Sequence, residues 1–195
     1  MKLNDLSVDL ETLSASSDAM IVSIGAIRCD FETGETGDTF YEVIDVEQYG
    51  GDAREAVNGS TLKWWMKQSD AARAVFNDLR ALPLELVLDK FRAYIGRDHQ
   101  TVRIWGNGSD FDNVILANLY KSFKQVPPWD FFNNRCYRTL KSMVPAVRMA
   151  RKGTHHNALD DAISQAEHAI AIHKHVAAVT AAASIQFARQ VPARE

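Results

Sequence analysis

The segment LSVDLETL, residues 6–13, sets two carboxylates inside a run that otherwise reads as an interior strand. Side chains at i and i+2 of a strand point to the same side, so Asp9 and Glu11 share one face. Charges in such a place are costly unless they are paired or bound to a metal. Any fold available to this chain must therefore bring a counter-charge to that face.

The surrounding pattern is that of one mixed α/β domain. Residues 5–10, 20–31 and 39–44 read as three strands, the last two separated by the turn residues TGETGD at 33–38. Strand and turn in alternation predict an antiparallel meander at the N-terminus. A helix is predicted from a Ser60 N-cap through Leu62, Trp65 and Met66, across STLKWWMKQSDAARAVF, and another from Leu84 to Ile95, ended near Gly96. TVRIWG, 101–106, is a short β-rich run, 111–123 has helical spacing, and 126–134, with Pro127 and Pro128, is an irregular connection. The strongest helical pattern covers 156–179, with Ala162, Ala166, Ala169, Ile170 and His173 on one face, and an Ala-rich segment follows at 181–190. Without internal repeats or a long linker, residues 1–195 form a single domain with a helical extension from about 180. The antiparallel start and the absence of Gly-rich phosphate-binding motifs argue against a nucleotide-cofactor fold.

Composition narrows the compartment and the partners. Cys29 and Cys136 are the only cysteines, far apart, and suit a reducing environment. Asn4, Asp5 and Asp9 interrupt any signal-peptide core, and no run reaches the roughly 20 apolar residues of a membrane span. A cytoplasmic protein with no membrane contact is expected. The formal net charge is -3, so attraction of a polyanion has to come from metal ions or local basic patches.

Two further acidic segments join Asp9 and Glu11. WGNGSDFDNVIL, 105–116, places Asp110 and Asp112 where a strand passes into a helix. HHNALDDA, 155–162, sets His156 five residues before Asp161. Several carboxylates and no cysteine ligand favour hard cations such as Mg2+ or Mn2+, and bound cations offset the mutual repulsion of the carboxylates. Two such ions suit phosphodiester cleavage. His156 has the chemistry of a general base. Five residues of ideal helix turn through about 500°, so His156 is expected on the loop or helix edge, with Asn157 or Thr154 starting the helix. Each motif also has a plainer reading: Asp9 and Glu11 as a surface or salt-bridged pair, Asp112 as a helix cap, and His156 as a surface or capping residue. A zinc site from His155, His156 and Asp160 is a further alternative.

The ordered set resembles the DEDDh 3'-5' exonucleases of the ribonuclease H-like superfamily. Their Asp-x-Glu motif is matched by Asp9-Leu10-Glu11, their aromatic-Asp pair by Phe111-Asp112, and their His-x-Ala-x-x-Asp motif by His156, Ala158 and Asp161. The motifs span most of the chain, which looks like a small stand-alone phage or bacterial exonuclease. The resemblance implies a five-stranded mixed sheet flanked by helices. It also implies two divalent ions, Mg2+ or Mn2+, held by Asp9, Glu11, Asp112 and Asp161, with His156 as base. Many members carry Asn three residues before the aromatic, where this chain has Gly108 with Asn107 one residue earlier, so Asp110 stands as the reserve ligand.

The implied substrate is single-stranded DNA or RNA with a free 3' hydroxyl, releasing nucleoside 5'-monophosphates. Leu10, Thr12, Trp64, Trp65, Arg135 and Arg138 are its candidate contacts, with Lys141 in the same basic stretch. One of the adjacent tryptophans is expected in the core and the other at the cleft, since neighbours on a helix diverge by about 100°. A homodimer is the expected assembly, with Ile185 and Phe187 as apolar anchors of the last helical segment. The alternatives are a catalytically silent nucleic-acid-binding module on the same fold and a hydrolase of short oligonucleotides.

Overall fold

The computed structural model describes residues 3–48 and 56–190, and the side chains at 185 and 187–190 lie outside that set. The expectation about Ile185 and Phe187 falls outside the described side chains. Strands β1 (Asp5–Thr12), β2 (Ile21–Cys29) and β3 (Thr36–Val43) form the antiparallel meander. β4 (Arg103–Gly106) adds parallel to β1, and β5 (Asn134–Cys136) parallel to β4, which gives a five-stranded sheet of order β3-β2-β1-β4-β5. This is the mixed sheet of a ribonuclease H-like fold.

The helices are α1 (Gly59–Trp65), α2 (Asp70–Arg73), α3 (Leu84–Ile95), α4 (Val114–Ser122), α5 (Tyr137–Met143) and α6 (Ala158–Gln190). One face of the sheet carries Leu6, Val8 and Leu10 against Val87, Leu88 and Phe91 of α3 and Ile115, Leu116 and Leu119 of α4. Each such side chain contributes roughly 1.5–3 kcal/mol of burial. On the other face, Ile27 and Cys29 pack against Ala166, Ala169 and Ile170 of α6. The small residues of α6 let its axis approach the strands closely.

Several local details depart from the sequence pattern. Asn58, not Ser60, caps α1, its side chain accepting from the Ser60 N–H at 2.8 Å. The helix predicted across 60–76 stops at Trp65, and Ser69 caps a new short helix, α2. The connection at 126–134 ends in β5, and α5 follows at once. A three-residue strand is too short to display an alternating pattern. Of the two courses open to the Ala-rich segment, continuing the helix or docking as another, it continues α6 unbroken, and beyond His173 residues 174–184 are all exposed. No helix among the described residues is long and apolar enough to cross a membrane.

Candidate active site

The face of β1 turned toward α6 carries Asp5, Ser7, Asp9 and Glu11, and the carboxylates meet two different fates. Asp5 is fully buried and satisfied. It accepts from Arg103 Nε at 2.7 Å and Nη2 at 2.6 Å, from Trp105 Nε1 at 2.8 Å and from the Phe31 N–H at 3.4 Å. Asp9 receives one side-chain donor, Gln165 Nε2 at 2.7 Å. Among the described residues, no donor reaches the buried Glu11. Asp5 is thus a brace between β1 and β4, while the next two carboxylates on that face are left short of partners.

The approach of α6 depends on Gly25, which lies opposite Asp9 in the β1–β2 register. A Cβ there would stand 2.1 Å from the backbone carbon of Ala158, so only glycine lets the first turn of α6 rest on β2. Asn157 Oδ1 accepts from the N–H groups of Leu159 and Asp160, both at 3.1 Å, and so caps the helix. His156 precedes the cap with φ of 65°, a left-handed conformation for which His is comparatively enriched. Its imidazole is thereby held off the helix axis, at the edge where the sequence spacing places it. The His156 N–H donates to Asp161 Oδ2 at 3.1 Å, and Arg151 Nη1 donates to Asp161 Oδ1 at 2.6 Å.

Asp112 arrives from the other side of β1. After β4 the chain makes a π-helical turn, Ser109–Asn113, before α4. A Cβ on Gly106 would lie 2.3 Å from Asn113 Oδ1 and 2.8 Å from Asp112 Cβ, so the turn closes onto the strand only over glycine. Asp112 is buried, with Oδ1 accepting from the Leu10 N–H at 3.2 Å and Oδ2 from the Asn107 N–H at 2.7 Å. Asp110, two residues earlier, is exposed. Of the two registers open in the sequence, the fold turns Asp112 toward Asp9 and Glu11.

Carboxylate oxygens of Asp9, Glu11 and Asp161 lie within 4.8 Å of one another. Asp112 stands outside that close triplet but near enough to act on it electrostatically. Burial first, then Asp112, Glu11 and Asp161, raises the Asp9 carboxyl well above the usual carboxylate range, against the Gln165 hydrogen bond. Burial followed by Asp161 and Asp112 pushes Glu11 up to about 8. Burial also pushes Asp112 up to about 7, although backbone donors of Asn107, Leu10 and Asp112 itself oppose the shift. Four crowded acids of this kind, all offering oxygen, fit divalent hard cations. Glu11 is buried and Asp9 part-buried, and neither forms an ion pair among the described residues, so the plainer reading of a surface or salt-bridged pair does not hold.

The hollow above these acids has a volume of about 200 Å³, and Leu10, Asn107, Tyr137, Lys141, Arg151 and His156 form part of its wall. Burial, then His155, lowers the His156 pKa, with Asp161 pulling the other way. The His155 and His156 rings stack at 3.7 Å, and both can offer a nitrogen within 4.8 Å of Asp161. Asp160 is not part of that group. Its Oδ2 accepts from the Thr154 N–H at 2.6 Å, closing the turn before α6, so the zinc alternative built on Asp160 fails.

The remaining sequence candidates separate in space. Trp64 is 41% exposed, with its ring 4.6 Å from that of His156, whereas Trp65 is 3% exposed and donates its indole N–H to the Thr12 carbonyl at 2.9 Å. Trp65 is therefore a core residue rather than a cleft contact. Thr12 is buried, its hydroxyl donating to the Ser14 carbonyl. Arg138 Nη2 donates to the Asn107 carbonyl at 2.6 Å, beside the hollow. Arg135 does not reach it. In register with Trp105, it lies toward the Asp5 end of the sheet, lining a separate hollow with Phe31 and Arg103 and donating to the Phe132 carbonyl at 2.8 Å. Sequence reasoning missed Gln165, Arg151 and Tyr137. Gln165 had a signal, since it follows Asp161 by four positions on one helix face. The others had none.

A family model described as the 3'-5' exoribonuclease Rv2179c-like domain matches residues 4–173. Among curated proteins, none matches the sequence. Among solved structures, the chain is similar to the nuclease domain of 3'hExo, a DEDDh family member bound to rAMP. The TM-score is 0.57 and the identity 16%, over 88% of this chain and 92% of that one. It is also similar to E. coli Exonuclease I in complex with a dT13 oligonucleotide, with a TM-score of 0.58 and 17% identity over 88% of this chain and 40% of that one. Cell-death related nuclease 4 gives 0.52 and 12%, over 88% and 64%. Identities this low speak for the shared fold.

Proposed function

The chain belongs to the family of Rv2179c-like 3'-5' exoribonuclease domains, with the fold of the DEDDh nucleases, and on that premise we propose that it is a metal-dependent 3'-5' exonuclease. The substrate is single-stranded nucleic acid with a free 3' hydroxyl, RNA foremost because the family is described by that activity. The products are nucleoside 5'-monophosphates. The observation that carries this reading is the triplet of part-buried Asp9 with buried Glu11 and Asp161, with His156 on the wall of the same hollow.

In this reading Asp9, Glu11, Asp112 and Asp161 hold two divalent cations, Mg2+ or Mn2+. Ions held there would supply positive charge toward the phosphate and acidity to a bound water. His156, its pKa lowered by burial, is neutral near pH 7 and free to accept the proton of that water. Trp64, exposed beside His156, offers an indole face on which the terminal base stacks. Leu10 borders the hollow from β1, but its side chain is buried in the core against α3 and α4 and offers the nucleotide little surface. Arg138 and Lys141 sit at the rim, where the backbone phosphates run. Residues 174–184 of α6, exposed on every side, support a homodimer in which a second copy covers that length. Light scattering of the full chain and of a truncation after Val179 tests the assembly, and a dimer that survives truncation places the interface elsewhere.

The activity is tested with 5'-labelled single strands of matched RNA and DNA, with Mg2+ or Mn2+. Shortening one nucleotide at a time, stopped by chelation and by Asp9→Asn, is expected. Binding without cleavage under all these conditions would instead identify a silent nucleic-acid-binding module. Faster turnover of dinucleotides than of longer strands would identify a hydrolase of short oligonucleotides.

A further inference from the structure

Arg151 is the cation that reaches the acidic triplet, and its position raises a conflict. Its Nη1 lies 2.6 Å from Asp161 Oδ1, while the other oxygen of Asp161 accepts from the His156 N–H. Both oxygens of Asp161 are thus engaged within the protein. A guanidinium and a divalent cation do not share one carboxylate favourably, because at such separations their charges repel each other. The Arg151 side chain is 48% exposed and comes from the connection between α5 and α6, so it has room to leave.

The surroundings of Arg151 show where it would go. Lys141 and Arg138 stand on the same rim, and both are held on neutral acceptors of Asn107. Lys141 Nζ donates to Asn107 Oδ1 at 3.1 Å, and Arg138 donates to the Asn107 carbonyl. Neither forms an ion pair among the described residues. The Lys141 ammonium is held below its ordinary pKa by burial first, then by Arg138 and Arg151. Three cations close enough to feel one another, two of them without a carboxylate partner, make a rim in need of an anion.

We infer that Arg151 is a movable phosphate-binding residue, paired with Asp161 in the metal-free protein and released to a nucleotide phosphate when a divalent cation takes that carboxylate. The inference rests on the exonuclease reading of this hollow and adds a coupling between its parts. The cation must displace Arg151, and the phosphate then gives Arg151 a new partner beside Lys141 and Arg138. By linkage each ligand assists the other.

Calorimetric titration of the full chain tests this, with Mn2+ alone, adenosine 5'-monophosphate alone, and the nucleotide in saturating Mn2+. Arg151→Gln removes the competitor, so Mn2+ should bind about fivefold more tightly, the scale of a partly exposed ion pair. The same variant should bind the nucleotide about tenfold more weakly in Mn2+, the loss of a charged hydrogen bond. Arg151→Lys keeps the charge and should return both affinities toward those of the parent protein. Circular dichroism checks that the variants are folded. Weaker or unchanged Mn2+ binding in Arg151→Gln would show that Arg151 only braces Asp161. Unchanged nucleotide affinity would remove it from the phosphate subsite. Either result overturns the inference, and neither depends on hydrolysis, so a failure of the exonuclease reading is seen separately in the labelled-strand assay.

Discussion

Gly25 and Ala158 touch so closely that a single added carbon on Gly25 would lie 2.1 Å from the Ala158 backbone. That contact sets the distance between β2 and the first turn of α6, and with it the distance between Asp9 on β1 and Asp161 on α6. The acidic triplet thus depends on a residue that carries no functional group. Gly25→Ala should lower stability by about 1–3 kcal/mol, the usual cost of overpacking a filled space. It should also reduce exonuclease turnover by at least about 10²-fold, as misplacement of reacting groups does. Denaturant unfolding and strand-shortening rates measure the two, and full activity in a folded variant would show that the contact is not what spaces the site.

The raised carboxyls predict how the metal-free protein responds to pH. A carboxyl whose pKa is raised by folding stabilises the protein below its ordinary value and loses that contribution as pH rises through the folded-state value. For Glu11 the interval runs from 4.5 to about 8, and for Asp112 from 3.8 to about 7. His156, its pKa lowered from 6.5, acts in the opposite direction below that pH, so the carboxyl effect is read cleanly between 6.5 and 8. In the presence of chelator the melting temperature should fall across this range, by about 2–4 °C for each kcal/mol lost. Mn2+ should reverse the fall at pH 8. A flat profile in chelator would mean that these acids are not protonated in the folded state.

His156 and Asp161 should respond differently to removal. His156→Ala leaves the acidic triplet intact, so Mn2+ binding should stay close to that of the parent protein while turnover drops by roughly 10² to 10⁴, the range of a general base. Asp161→Ala also strands Arg151 and the His156 N–H, and should lose metal affinity and turnover together. Calorimetry paired with single-turnover rates separates the two. Near-normal turnover of His156→Ala at neutral pH would assign the base elsewhere.

The two acids of the π-helical turn should rank clearly. Asp112→Asn keeps the shape but places an amide N–H or a weaker acceptor against the donors of Leu10 and Asn107, next to Glu11. Activity should be lost almost entirely. Asp110→Asn, on the exposed side of the turn, should keep most of it. Rates on one labelled strand under saturating Mn2+ decide the order, and the reverse ranking would move the ligand to Asp110.

Local periodicity made a large part of this protein legible from its residues. Alternation along 6–13 put Asp9 and Glu11 on one face, and the helix 84–95 with its Gly96 stop appears in the structure with the same ends. The spacing of His156 and Asp161 placed the imidazole off the helix, where it stands. Local pattern did not reveal β5, which is three residues long, nor the break at Ser69, where a capping side chain outweighs an otherwise helical stretch. Nor did composition tell Arg135 from Arg151, because a basic residue near a motif in sequence need not face it in space.

What the chain determined by itself is which side each carboxylate takes; what the tertiary structure decided is what each one meets there. Asp5 and Asp9 share a strand face, and nothing local distinguishes them. Arg103 and Trp105, about a hundred residues further on, satisfy the first. α6, held against Gly25, brings Asp161 and Gln165 to the second and leaves Glu11 without a donor among the described residues. The physical reason is one of range. Backbone geometry repeats over two or four residues and so encodes orientation, whereas the desolvation and charge that turn a carboxylate into a brace or a metal site come from elements that only folding makes neighbours.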